Sequence, residues 1–140
     1  EKWNTMKIVL DTNIFISGIF WSGDSEKILY DWGNEKYELV MSTEIIREII
    51  ETLMDFKIQL PINMLLLWIS ILSMKSKIVE PEEKIDIVKD DADDNKFIEA
   101  AVEGKADYVV TQDNHLLKIK EFEGIKILTP KEFLEIVKLL

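Results

Sequence analysis

Apolar positions along the chain fall into short runs and helical stripes that alternate in a regular order. Lys7-Ile8-Val9-Leu10 is a brief β-branched run ending on Asp11, and it predicts a buried strand. Residues 14–19 are apolar, and Trp21-Ser22-Gly23-Asp24-Ser25 reads as a turn. Ser25 is placed to cap a helix with Ile28, Leu29 and Trp32 on one face, closed by Gly33-Asn34. A second strand is expected over residues 37–41. Ser42 then stands at a cap position, followed by Ile45, Ile46, Ile49, Ile50, Leu53 and Met54 at the spacing of an amphipathic helix. Pro61 favours the first turn of another helix over residues 61–75, Lys77-Ile78-Val79 suits a short strand, and the polar segment 81–89 reads as a loop.

In the second half, Asp90-Asp91-Ala92-Asp93-Asp94 opens a helix carrying Phe97, Ile98, Ala101 and Val102 and closed by Gly104. A strand over 107–111, a short helix over 115–118, a strand over 125–128 and a helix from Pro130 complete the pattern. Strands alternating with helices predict an α/β fold whose mostly parallel sheet is covered on both faces. No repeat or linker divides the chain, so residues 1–140 read as one domain.

Composition narrows the chemistry. The 140 residues suffice for one core, and 47% apolar with 31% charged residues is ordinary for a globular protein. A formal charge of −10 argues against a broad basic nucleic-acid face, yet leaves room for an enzyme that meets nucleic acid through a bound cation. Cysteine is absent, which removes disulfides, a thiolate nucleophile and sulfur-ligated zinc. The single histidine, His115, removes a His-rich zinc site. No targeting segment is visible before Met6, and the apolar stretch 62–74 is interrupted by Asn63, Ser70 and Ser73, so a cytoplasmic protein without membrane contact is expected.

Ligands of open α/β sheets bind outside the carboxyl ends of the strands. Asp11 closes the first predicted strand and Asp113 lies just past the 107–111 strand, while Glu48 and Asp94 sit near helix starts facing the same edge. Four converging carboxylates repel unless a positive charge sits between them, and a hard divalent cation, Mg²⁺ or Mn²⁺, is the usual answer. Each acid also has a plainer reading. Asp11 suits a strand-end turn, and Glu48 belongs to a polar stripe with Glu44, Glu51 and Asp55 that Arg47 moderates. The acids at 90–94 suit a helix N-terminus, Asp113-Asn114 suits a turn, and His115 reads as a surface or capping residue. An EF-hand starting at Asp91 fails at Lys96 and Val102, and no phosphate-binding glycine loop or nucleophile elbow is present. Arg47 is the sole arginine, so Lys89, Lys96, Lys118 and Lys120 are left as point charges for a polyanion backbone.

Taken in order, four segments resemble the motifs of PIN-domain nucleases. Lys7-Ile8-Val9-Leu10-Asp11-Thr12-Asn13 is similar to the opening strand with its Asp-Thr-Asn signature, and residues 42–53 to the second motif, with Glu48 at the acidic position. Asp91-Ala92-Asp93-Asp94-Asn95-Lys96-Phe97-Ile98-Glu99 resembles the third, and Ala106-Asp107-Tyr108-Val109-Val110-Thr111-Gln112-Asp113-Asn114-His115-Leu116-Leu117 the fourth. The chain looks most like the prokaryotic, VapC-like branch, the toxins of toxin–antitoxin pairs. The resemblance implies a three-layer α/β/α fold with about five strands in a mostly parallel central sheet, and a Mg²⁺- or Mn²⁺-dependent ribonuclease site. It carries catalytic and metal-binding roles to Asp11, Glu48, Asp94 and Asp113, and supporting roles to Asn13, Asp91 and Thr111. RNA is the implied substrate and a small antitoxin the implied partner. A homodimer is implied as well, with Met64, Leu67, Trp68 and Ile71 supplying either part of the contact or ordinary core. His115 departs from the pattern, standing where relatives often carry another acid.

Two other functions compete. A catalytically silent PIN-like module would bind RNA or protein without cutting, but retaining four repelling acids argues for chemistry. A Mg²⁺-dependent phosphohydrolase of the haloacid-dehalogenase type needs a second acid two residues after Asp11, where Asn13 stands.

Overall fold

β-Branched and leucine-rich runs that are apolar at every position stack side by side where helices cover both of their faces. Here Ile8, Val9, Leu10, Leu39, Val40, Met41, Val109 and Val110 are all fully buried. The computed structural model describes residues 5–56 and 59–140, so the predicted absence of a targeting segment falls partly outside the described residues, at positions 1–4.

Strands β1 (Lys7–Leu10), β2 (Glu38–Ser42), β3 (Ser76–Val79), β4 (Tyr108–Val110), β5 (Glu121–Phe122) and β6 (Ile125–Leu128) form one sheet in the order β3-β2-β1-β4-β6-β5. The first five strands of that order pair in parallel, and β5 adds a two-residue antiparallel edge to β6. The expected parallel sheet is present; the added edge strand was not predicted, because two residues carry too little alternation to register. Helices α1 (Thr12–Phe20), α2 (Asp24–Gly33), α3 (Thr43–Asp55), α4 (Ile62–Lys75), α5 (Asn95–Glu103) and α6 (Asn114–Leu117) lie between the strands, and α7 (Pro130–Val137) follows the last of them. The winding moves outward from β1 to β3 and then returns to β4 on the other side of β1. With right-handed crossovers that reversal puts α5 on the opposite face from the earlier helices, and α5 packs on β1, β2 and β4. Strand order therefore switches between β1 and β4, the place where open α/β sheets form their ligand crevice.

Several boundaries shift for local reasons. The apolar run 14–19 is helical because Asp11 caps it, its carboxylate accepting from the Asn13 amide. Ser25 lies inside α2 rather than at its cap, which is Gly23 at φ 135°, a conformation glycine adopts without strain. Ser42 caps α3 as predicted, accepting from the Ile45 amide. Pro61 stands one place before α4 rather than in its first turn. The acids at 90–94 form a single 3-10 turn (Ala92–Asp94) ahead of α5. The loop 81–89 has no regular structure but is tied down: the Asn95 side chain accepts from the Ile87 and Val88 amides, and Glu99 accepts from the Ile85 amide. Of the α4 residues singled out, Trp68 and Ile71 pack on the core while Met64 and Leu67 are exposed. Among the described residues, no helix is long and apolar enough to cross a membrane.

The α1–α2 crossing depends on Gly18. A Cβ there would lie 2.6 Å from Leu29 Cδ1 and 2.8 Å from the Ser25 carbonyl oxygen, and a backbone oxygen cannot rotate away. Overpacking costs about 1–3 kcal/mol, and the better helix propensity of alanine returns up to about 1. Gly18→Ala is therefore expected to destabilise by about 1–2 kcal/mol net, read as a lower urea midpoint at unchanged slope. An unchanged midpoint would mean that the two helices separate freely.

Candidate metal centre

The pairing of β1 with β4 aligns Leu10 with Val110, so the next residues, Asp11 and Thr111, leave the sheet side by side at its carboxyl edge. The Asp11 amide still donates to the Val110 carbonyl (3.0 Å). Asp11 is buried, with one oxygen accepting from the Asn13 amide (2.8 Å) and the other from Thr111 Oγ1 (2.6 Å). Thr111 Oγ1 in turn accepts from the Asp113 amide (2.9 Å), which commits its single hydrogen to Asp11. Burial lifts the Asp11 carboxyl above its ordinary range, the donations from Thr111 and Asn13 oppose that, and the charges of Asp113 and Glu48 add to it. Asn13 thus contributes its main-chain N–H, not its side chain.

Asp94 arrives from the other direction. Helix α5 ends near the start of β4, so its amino end and the preceding turn lie over the same sheet edge. Asp94 is nine-tenths buried, and its Oδ2 is sealed from solvent with no hydrogen-bond donor. Burial and then the adjoining Asp113 carboxyl, with Asp91 and Asp11 behind it, push Asp94 up to about 8. Asp113 caps α6 by accepting from the His115 amide (2.8 Å). Burial works against its ionisation, but contact with Asp94, the His115 amide and the His115 ring together hold it below the ordinary range. The two carboxyls behave as a pair sharing one proton.

One ligand atom each from Asp91, Asp94, Asp113 and His115 lies within 4.8 Å of the other three. Atoms bound to one ion at about 2.2 Å span at most about 4.4 Å, so a small contraction would close the group on a divalent cation. A donor-poor buried oxygen amid carboxylates is the chemistry such a cation relieves.

The four acids expected from the sequence are thus placed unequally. Asp94 and Asp113 are in direct contact, and Asp11 adjoins them closely enough for its charge to act on Asp94. Glu48 stands on the flank, already engaged: one oxygen accepts from Thr12 Oγ1 and the other from Lys96 Nζ (2.9 Å). Lys96 is almost fully buried and also reaches Asp93 Oδ2 (2.6 Å) and the Asp93 carbonyl (3.1 Å). It is therefore unavailable as a surface contact for a polyanion. Lys89 and Lys118 pair with Asp86 and Asp90. Two residues beside these acids carry other roles in the sequence analysis, His115 that of a surface or capping residue and Lys96 that of a point charge for a polyanion. Both look like surface residues in one dimension, and the only signals were their places, two residues past Asp113 and two past Asp94.

Comparisons with known proteins agree on the fold. A family model described as PIN domain matches residues 7–115. The chain is 32% identical over 142 aligned residues to the uncharacterized protein MJ1680 of Methanocaldococcus jannaschii, covering 93% of this chain and 90% of that protein. Among solved structures it is similar to VapBC2 from Rickettsia felis, crystallised with a DNA fragment from their promoter. That match has a TM-score of 0.60 at 16% identity and covers 89% of this chain and 98% of the other.

Proposed function

Because this chain belongs to the PIN-domain family, we propose that it is a metal-dependent endoribonuclease, the toxin of a toxin–antitoxin pair, acting as a single PIN-like domain in the cytoplasm. One observation carries the reading: the buried, donor-less Asp94 oxygen beside Asp113, with Asp11 adjoining, is a concentration of like charge that invites a divalent cation. The fold likeness to the VapBC2 assembly accords with the toxin assignment and with an antitoxin partner.

Asp11, Asp94 and Asp113, with Asp91 at the rim, would hold Mg²⁺ or Mn²⁺. The bound cation supplies a Lewis acid for the scissile phosphate and lowers the pKa of attacking water. The chain's own groups prepare that chemistry. Thr111 and the Asn13 amide hold Asp11 as an acceptor with both oxygens aimed, so no reorganisation is needed when charge develops. The Asp94–Asp113 pair, where Asp94 holds its proton well above the ordinary range, would present both carboxyls to a cation. Glu48, held by Thr12 and Lys96, would orient water from the flank. RNA brings phosphate to a protein of net charge −10, so affinity is expected to depend on the cation rather than on a basic face. The exposed Met64, Leu66 and Leu67 on α4 fit a homodimer contact.

The test is cleavage of a labelled structured RNA pool by the purified chain with Mg²⁺, Mn²⁺ or EDTA, beside Asp11→Asn. Cutting is expected with either ion, absent in EDTA and reduced at least ~100-fold in the variant, since even outer-shell partners of metal sites cost 10–100-fold. Identical traces from both proteins would assign the cutting to a contaminant. A chain that binds the ion but leaves every RNA intact would sink the nuclease reading in favour of a binding module.

A further inference from the structure

We propose that His115 is itself a ligand of the cation, adding one imidazole to the carboxylates of the centre and so favouring Mn²⁺ over Mg²⁺. This rests on the metal-dependent reading above and adds to it a residue and an ion preference.

The geometry points there in three ways. An imidazole nitrogen is one of the four ligand atoms that lie within 4.8 Å of one another. The ring Nδ1 is 3.7 Å from Asp113 Oδ1, too long for a hydrogen bond, yet equal to the separation of two atoms held about 2.2 Å from one ion at about 115°. The same group contains Asp94, whose carboxylate has one oxygen buried without any donor. A capping role does not occupy the ring, because the cap is made by the main-chain N–H of His115 donating to Asp113, and the ring is left half-exposed beside the carboxylates. Mg²⁺ demands oxygen donors and keeps its waters. Mn²⁺ shares the liking for carboxylates yet, as a first-row transition ion, also accepts a nitrogen, so an imidazole in this set adds more affinity for Mn²⁺ than for Mg²⁺.

His115 is the only histidine in the sequence, so any imidazole bound to the ion is this one. The full chain loaded with one equivalent of Mn²⁺ is examined by pulsed EPR for nitrogen coupling, with histidine-specific ¹⁵N labelling as the identity check. Wild type is expected to show directly bound imidazole nitrogen, and His115→Gln to lose it. Mn²⁺ affinity should fall about 10-fold or more in that variant, with Mg²⁺ affinity changed less than about 2-fold. His115→Asp should regain Mn²⁺ binding without the nitrogen signal and lose the preference over Mg²⁺, which separates ligand loss from misfolding. Mn²⁺ held with no nitrogen coupling, or coupling that survives in His115→Gln, overturns the assignment of His115 while leaving a metal-dependent nuclease intact. Failure of the wild type to bind Mn²⁺ overturns both.

Discussion

Asp94→Asn is expected to make the metal-free protein more stable at alkaline pH while removing its activity. The sign follows from proton counting. Asp94 keeps its proton to about pH 8 in the folded chain, against an ordinary value of 3.8 for an exposed aspartate. Between those values the folded state binds more protons than the unfolded state, so stability falls as pH rises through that window and reaches its floor above pH 8. Asp113, held low, acts oppositely, but only at the acid end where it becomes protonated. Asparagine has roughly the same shape and no charge to bury beside Asp113. At pH 8.5 in EDTA the variant should gain about 1–2 kcal/mol, a rise in Tm of about 3–8 °C, and its Tm should vary less between pH 5 and 9. Adding Mn²⁺ should raise the wild-type Tm at pH 8.5 and leave the variant almost unmoved. RNA cleavage should drop at least ~100-fold, as for loss of a direct ligand. A variant that melts lower than wild type at pH 8.5 with an unchanged pH slope would show that Asp94 is an ordinary cap, not a strained member of a cation site.

That a residue can be both destabilising and needed explains which parts of this protein were legible in one dimension. The strands that are apolar at every position and the Ser42-capped helix announce themselves because burial and capping act locally. The candidate site was legible in part. Asp11 ends one buried strand run and Asp113 lies just past another, and the switch in strand order brings both to one sheet edge. What pattern reading could not supply was pairing. Glu48 is one carboxylate in an acidic stripe until Lys96, 48 positions later, meets it. Asn95 looks like one more polar residue in an acidic run, yet its amide holds the loop 81–89 through two main-chain N–H groups. The left-handed turns at Lys120 and Glu123 that bring back β5 likewise have no periodicity to reveal them. Contacts between residues far apart in the chain are set by topology, and topology was inferred only as a class.

Lys96→Met should be among the most damaging substitutions outside the hydrophobic core. The stem of Lys96 is buried and its ammonium is 5.0 Å from the Phe97 ring centroid. Burial by itself would lower its pKa, but hydrogen bonds from the ammonium to Asp93 and Glu48, reinforced by their charges, hold it above the ordinary range. Methionine fills similar space without the charge, so the loss isolates electrostatics from packing. It leaves Glu48 and Asp93 unpaired, with Glu48 acting against Asp11 as well. Breaking a fully buried pair costs 3–5 kcal/mol. Glu48 is one-third exposed and Asp93 two-thirds exposed, so water recovers part of that and about 2–3 kcal/mol is expected. Two further measurements identify the cause. Glu48→Gln placed on Lys96→Met should restore part of the stability, giving a coupling energy of about 1 kcal/mol or more in the double-mutant cycle. Mn²⁺ should also rescue Lys96→Met by more than it stabilises wild type, because an added cation relieves the same excess of negative charge. Strict additivity of the two substitutions, together with equal stabilisation by Mn²⁺, would mean that Lys96 contributes only its buried stem and that the acids of this edge do not share one electrostatic account.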